Sequence, residues 1–313
     1  MEAKPVVTWL LLILLAVVIW PIVTELCRKK MDQSARTEAP GQFSALSQGV
    51  THFQWSGPED GPVAVCIHGL TTPSFVWRST TTGLVDQGFR VLTYDLYGRG
   101  FSDRPSGVQD QAFFLRQLND LLQDQKVTGQ LTVIGYSMGG VVAAAFASAH
   151  PDRVRDMILL APAGMKTQGF GLLRQISLIP VVGLWLMLAV YPRVLRKGLA
   201  AEADLQTSVD GMNAMQRAEL DWRGFVPSVR ASIKGILTDS FEAAHRSIHQ
   251  AKIPVMAVWG QVDDVIPVEA ADLLQSWNPK TVTHIIENAG HGVTYTHTND
   301  ILSMIDHFTK PHR

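Results

Sequence analysis

The chain has 313 residues, a formal net charge of −1 and a charged fraction of 18%. That length admits one large α/β domain with an insertion or two modest domains, and the near-neutral balance excludes a polyanion such as nucleic acid as the main partner. Its only cysteines, Cys27 and Cys66, lie in separate apolar runs, so neither a disulfide framework nor a cysteine metal site is expected.

From Val6 to Val23 every residue but Thr8 is apolar. As a helix rising about 1.5 Å per residue this run measures roughly 27 Å, close to the hydrocarbon thickness of a bilayer. Trp9 and Trp20 stand near its ends, where indoles favour the interface. A secretory signal fits poorly, because Lys4 is offset by Glu2 and no small-residue cleavage site follows; a lipoprotein signal fails at Thr24-Glu25-Leu26. Residues 1–30 therefore read as an uncleaved transmembrane anchor. Arg28, Lys29, Lys30 and Arg36 follow the run, which puts the bulk of the chain on the cytoplasmic side of a membrane. The same flank permits acylation of Cys27. Residues 31–42, polar and holding Pro40-Gly41, read as a tether.

Gln48-Gly49 separates two strand-like segments beginning at Phe43 and Val50, an opening hairpin. Short apolar runs without alternation follow at Val63–Ile67, Arg90–Tyr94, Leu131–Ile134, Asp156–Leu160, Pro254–Trp259 and Val282–Ile286. Such runs mark strands buried on both faces of a parallel sheet. Helical stretches at Ala112–Leu122, Met138–Ala149 and Ala270–Trp277 alternate with them, and Asn299–Phe308 closes the chain behind an expected Asn cap. The pattern predicts a mostly parallel, doubly wound α/β sheet. Its core spans 43–162 and 251–313, interrupted by a helical cap at 163–250. Within that cap Leu172–Leu199 is mostly apolar, but Pro180 and Gly183 break it too early for a second membrane span.

Gly135-Tyr136-Ser137-Met138-Gly139 matches G-x-S-x-G, a serine on a tight strand-to-helix turn. The motif alone is weak, and a passive serine on a glycine-rich turn would match it equally. Its context is what strengthens it: a buried-strand run precedes the serine and a helix-compatible run comes after.

Four segments in order resemble α/β-hydrolases of the branch with a helical cap: His68-Gly69-Leu70, the glycine-rich turn from Asp95 to Pro105, the elbow at Ser137, and Gly290-His291 after the last strand. The resemblance runs from about Phe43 to the C-terminus. It implies Ser137 as nucleophile and, of ten histidines, His291 as its base, in the family's chain order of serine, acid, histidine. The family's spacing of glycine, acid and proline selects Asp263 over its neighbour Asp264, which then reads as a turn residue. The backbone N–H groups of Leu70 and Met138 are the implied oxyanion donors. His68 would brace its loop, and Asp95 and Asp103 would do the same around the glycine-rich turn. His245 and His249, four apart, lack a third metal ligand and read as solvated cap residues; no metal and no cofactor is expected.

A serine at the elbow argues against dehalogenases and epoxide hydrolases of this scaffold, whose nucleophile is aspartate, and leaves acyl transfer to water. Resemblance to membrane-anchored monoacylglycerol lipases implies a lipophilic ester as substrate and membrane lipid as a partner. Val182, Trp185 and Leu186 are candidates for an acyl-chain entrance, with simple core packing as the alternative reading. A carbon–carbon bond hydrolase, a perhydrolase and a silent membrane-tethered binding protein are the rival functions.

Overall fold

The computed structural model describes residues 3–165, 171–180, 182–238 and 240–312. Eight strands form one sheet: β1 (Gln42–Leu46), β2 (Gly49–Ser56), β3 (Val63–Ile67), β4 (Arg90–Tyr94), β5 (Leu131–Tyr136), β6 (Val154–Leu160), β7 (Val255–Gly260) and β8 (Val282–Ile286). Their order is β1-β2-β4-β3-β5-β6-β7-β8, with β2 antiparallel to both its neighbours and every other pairing parallel. Every residue of β5 and β7 is buried, which is why those segments show no alternation.

Five helices belong with this sheet from its middle onward: α2 (Arg78–Asp86), α3 (Gln111–Asp124), α4 (Met138–Ala149), α10 (Ala270–Trp277) and α12 (Thr298–Thr309). Asp110 caps α3, its side chain accepting from the N–H of Phe113 at 2.9 Å. Two details differ from expectation. The stretch forming α2 carries Ser79-Thr80-Thr81-Thr82 and shows no apolar stripe; burial of Thr80 and Leu84, and Leu302 of α12 closing over Gly83, hold it as a helix. The expected Asn cap of α12 is absent. Asn299 lies inside the first turn, because the short helix α11 (Val293–Thr296) runs almost directly into α12 and Thr298 Oγ1 bonds back to the Thr294 carbonyl at 2.8 Å.

Between β6 and β7 come α5 (Gly171–Leu178), α6 (Val182–Ala201), α7 (Met212–Ala218), α8 (Phe225–Lys234) and α9 (Glu242–Gln250). Residues 166–170, 181 and 239 of the expected 163–250 insertion lie outside the described residues. Helix α9 packs on α4 and α10, so its place is with the core and not with the cap. His245 accordingly is buried, 2% exposed and stacked on Trp277, where a solvated residue was expected.

The N-terminal helix α1 spans Ala3–Cys27. Among the described residues, Val6–Cys27 is the one helix long and apolar enough to cross a membrane. The segment beyond α1 is docked, in contrast to the free tether expected. Lys29 exchanges backbone bonds with the 221–223 segment, Arg36 reaches the Phe101 carbonyl and the Asp103 carboxylate, and the Pro40 carbonyl meets the His52 imidazole. Polar side chains that look solvated in sequence find their partners on the glycine-rich turn after β4.

Candidate active site

Ser137 sits between the last residue of β5 and the first of α4 with φ 52° and ψ −118°, a left-handed conformation costly for a side chain-bearing residue. The flanking glycines permit it. A Cβ on Gly139 would strike the carbonyls of Ile67 and His68 on the neighbouring strand, and one on Gly135 would strike the Gly139 backbone. The turn is fixed further by the Ser137 N–H donating to Leu160 O at 2.9 Å and by the Ala163 N–H donating to Ser137 O at 3.0 Å.

This turn presents Ser137 Oγ 3.0 Å from Nε2 of His291, which lies on the loop between β8 and α11. His291 Nδ1 stands 2.8 Å from Oδ2 of Asp263, on the loop after β7. The Asp263 side chain is fully buried, and its other oxygen accepts two backbone bonds at 2.8 Å, from Val265 and Ile266. With both oxygens engaged the carboxylate cannot rotate away from the imidazole. Asp264 next to it is exposed and makes no contact with His291 among the described hydrogen bonds.

Met138 opens α4, and the N–H at a helix's first position has no acceptor within the helix. Leu70 follows Gly69, whose Cα approaches so near that an added Cβ would lie 3.3 Å from Ser137 Cβ. Both implied oxyanion donors thus flank the serine. His68 Nε2 accepts from the Leu96 N–H at 2.8 Å while Nδ1 donates to Gly69 O at 2.7 Å, so this histidine braces the loop. Burial pushes its imidazole down to about 4, which keeps it neutral.

The family assignment is decided by the sequence match: the α/β-hydrolase fold family covers residues 62–298. The chain belongs to the α/β-hydrolase family. An uncharacterised protein of Mycobacterium tuberculosis is 28% identical over 292 residues, covering 84% of this chain and 80% of that one. The pimeloyl-[acyl-carrier protein] methyl ester esterase of Aliivibrio fischeri is 24% identical, covering 84% of this chain and 99% of the esterase. The crystal structure of the enol-lactonase from Burkholderia xenovorans superposes with a TM-score of 0.72 at 18% identity, over 85% of this chain and 99% of that one. At that identity the superposition speaks to the fold alone.

Within this α/β-hydrolase, several residues around the serine escape sequence reasoning. Tyr136, just before the serine, lays its ring 5.4 Å from that of His291 and donates its hydroxyl to the His291 carbonyl at 3.2 Å. Arg99 is wholly buried and bonds Leu70 O at 3.0 Å, Tyr97 O and Gln109 Oε1 at 2.8 Å, and Ser232 Oγ at 2.8 Å. Nothing in the sequence separates Arg99 from a surface arginine on a turn. Asp95 behaves as expected, accepting from Ser74 and Phe101 N–H groups and from His52 at 2.7–2.9 Å. Burial opposes its charge, but the His52 bond and charge hold its carboxyl well below the usual range. Asp103 Oδ2 likewise accepts from the Val50 N–H at 2.7 Å.

The cap residues divide. Met187, Leu188 and Tyr191 of α6 share one buried apolar cluster with Leu70 and Met138. Val182 is exposed, Leu186 is half-buried, and Trp185 donates to the Val18 carbonyl of α1 at 2.7 Å. The three residues expected at an acyl entrance therefore include one that faces the N-terminal helix.

Proposed function

We propose that the chain is a serine hydrolase of lipophilic carboxylic esters, with Ser137, His291 and Asp263 as its triad. The observation that carries this reading is the unbroken line of hydrogen bonds from Ser137 Oγ through His291 to the fully buried Asp263 carboxylate, raised on a strained turn. In that line His291 Nε2 accepts the serine proton as Oγ attacks the ester carbonyl, and Asp263 holds Nδ1–H so that Nε2 carries the lone pair. The oxygen of the tetrahedral intermediate lies against the N–H groups of Leu70 and Met138. His291 then returns the proton to the leaving alcohol, and water releases the acyl group from Ser137 by the same steps in reverse.

The preference for lipophilic esters rests on two features. The cap contributes apolar side chains, Met187, Leu188 and Tyr191, to the extended buried cluster that also includes Leu70 and Met138. Helix α1 is apolar along a membrane-spanning length, and its basic flank orients the domain to the cytoplasmic side. We read residues 1–30 as the anchor, 43–162 and 242–313, with α9 included, as the hydrolase core, and monoacylglycerols as the leading substrates. The test is labelling with a fluorophosphonate probe, followed by rates on p-nitrophenyl esters of rising chain length and on monoacylglycerols. The reading expects stoichiometric label on Ser137 and kcat/KM rising with chain length. Absence of label on folded protein defeats the triad, and a rate highest for acetate defeats the lipophilic preference.

A further inference from the structure

Helix α1 is held against the cap. The indole N–H of Trp185 donates to the Val18 carbonyl, and along the contact α1 and α6 bound a groove of about 540 Å³, lined by side chains from Ala16 to Thr24 of α1, by Arg28 just beyond it, and by side chains from Trp185 to Arg196 of α6. This volume lies within the ~300–1,000 Å³ of ordinary ligand sites. Two prolines stand at the gap. Pro21 of α1 and Pro192 of α6 both line it, and each lacks the N–H that would bond the carbonyl four residues earlier, at Val17 and Leu188, which line it too. Each helix thus loses a rung beside the groove.

The groove is mixed in character. Its lining joins apolar Ala16, Val17, Pro21 and Leu188 to three cations, Arg28, Arg193 and Arg196, and the Arg193 guanidinium donates to the Ala189 carbonyl one turn back on its own helix. Arg28 is a fixed cation: its side chain is 10% exposed and pairs at 2.5 Å with Glu25, whose other oxygen accepts from the Gly224 N–H at 2.6 Å. Arg193 and Arg196, three apart on α6, share a face and are exposed. With Glu25 offsetting Arg28, two positive charges remain for an anion. Ten residues separate Val18 from Arg28, about 15 Å of helix and roughly half the hydrocarbon thickness of a bilayer. With α1 in a bilayer, Val18 and Trp185 lie about 7.5 Å inside the end of the apolar run at Val23, where the indole N–H needs a protein acceptor, and the arginines stand beyond that end, at headgroup level.

We propose that this groove binds one anionic phospholipid, an acyl chain lying between α1 and α6 and the phosphate among Arg28, Arg193 and Arg196. The proposal rests on the reading of α1 as a membrane span. Basic clefts beside membrane helices suit such headgroups, and guanidinium pairs with phosphate in a bidentate fork.

The test uses the full chain in mixed phosphatidylcholine–phosphatidylglycerol vesicles, extracted into detergent and weighed by native mass spectrometry with its retained lipid. Phosphatidylglycerol should be retained over phosphatidylcholine by about tenfold or more. Arg193→Gln combined with Arg196→Gln should erase that preference while vesicle flotation and hydrolysis of a soluble acetate ester stay unchanged. Wild-type protein that floats with vesicles yet retains both lipids equally overturns the lipid site alone, as does a preference that survives in the double variant. Retained phosphatidylglycerol displaced in full by inorganic phosphate would reveal an anion site without a chain site, and would equally overturn it. Protein that fails to float removes the membrane reading and this proposal with it.

Discussion

Arg99 Nε donates to the carbonyl of Leu70 at 3.0 Å while the same guanidinium reaches Ser232 of α8 at 2.8 Å, so one buried side chain ties the loop beside Ser137 to the cap. Ser232 Oγ also donates to Gln109 Oε1 at 2.6 Å, and among the described residues Arg99 has one other hydrogen bond to the cap, to Ser228 O at 3.4 Å. Ser232→Ala strips the stronger tie. It should cost roughly 1–3 kcal/mol in urea unfolding, because a buried charged donor loses its partner. The esterase kcat should fall while KM moves little, since the Leu70 peptide is positioned through Arg99. Unchanged stability and kcat would show that Arg99 needs no anchor in the cap.

Asp263 and Asp264 give a sharp contrast within one dipeptide. Asp263→Asn should lower kcat by about three to four orders of magnitude, because an amide can no longer hold the imidazole in the tautomer that accepts the serine proton. Asp264→Asn should leave kcat within a few-fold, in keeping with the small effects of exposed substitutions. Steady-state rates on one soluble ester decide the matter, and a reversed order would move the acid to Asp264.

His245 supplies a pH signature away from the site. Burial pushes its imidazole from the ordinary 6.5 down to about 4, and its Nδ1 has no hydrogen-bond partner. The unfolded chain takes up a proton near 6.5 and the folded chain does not until about 4. Stability linked to this group is therefore complete above pH 6.5 and is lost as the pH falls from 6.5 toward 4. The loss approaches about 3 kcal/mol, at about 1.4 kcal/mol for every tenfold by which folding weakens the proton's binding. His245→Leu should flatten that part of the stability curve relative to wild type, leaving the contribution of the similarly depressed His68 in place. Parallel curves for the two proteins between pH 6.5 and 4 would contradict it.

Truncation should discriminate between two nearby start points. Glu25 is 7% exposed and accepts from the Gly224 N–H, and Lys29 exchanges bonds with Asp221 and Arg223. A chain beginning at Thr24 keeps these contacts and one beginning at Met31 loses them. Thermal melts should place the shorter chain lower, by roughly 1–3 kcal/mol for the orphaned amide and lost pairing. Equal melting temperatures would mean the contacts add nothing to the domain.

The sheet was legible where burial on both faces leaves only apolar choices, and β3 and β4 coincide with their sequence runs; β8 coincides with its run too, but it is an edge strand with Val282 and Ile285 exposed, so the burial expected there is absent. Ser137 was legible because a tight strand-to-helix turn admits few side chains and glycines mark it, whereas His291 was picked out of ten histidines by its place after the last strand in the family it resembles. Asp263 needed the family's spacing, since two adjacent aspartates look alike until Val265 and Ile266 donate to one of them. Long-range polar partners were not legible at all. Arg99, Arg36 and Glu25 read as surface charges because the partners that fix them across the fold, the Leu70 and Phe101 carbonyls and the Gly224 N–H, lie 29 or more residues away, and α2 is held as a helix by burial of Thr80 and Leu84 and by Leu302 packing over Gly83. Trp185 reads as apolar, and its hydrogen bond to Val18 depends on a docking between helices that no local pattern encodes.

At Gly139 there is no space for even one methyl group between the elbow and the carbonyls of Ile67 and His68. The position of the serine is thereby set by backbone against backbone, beyond the reach of gradual adjustment by side-chain exchange. Diversification in this chain has a different outlet. Helices α5 to α8 join the chain of the sheet only through the connections after β6 and before α9, so they can be remodelled as a cassette provided that the replacement keeps a partner for Arg99 where Ser232 of α8 now stands.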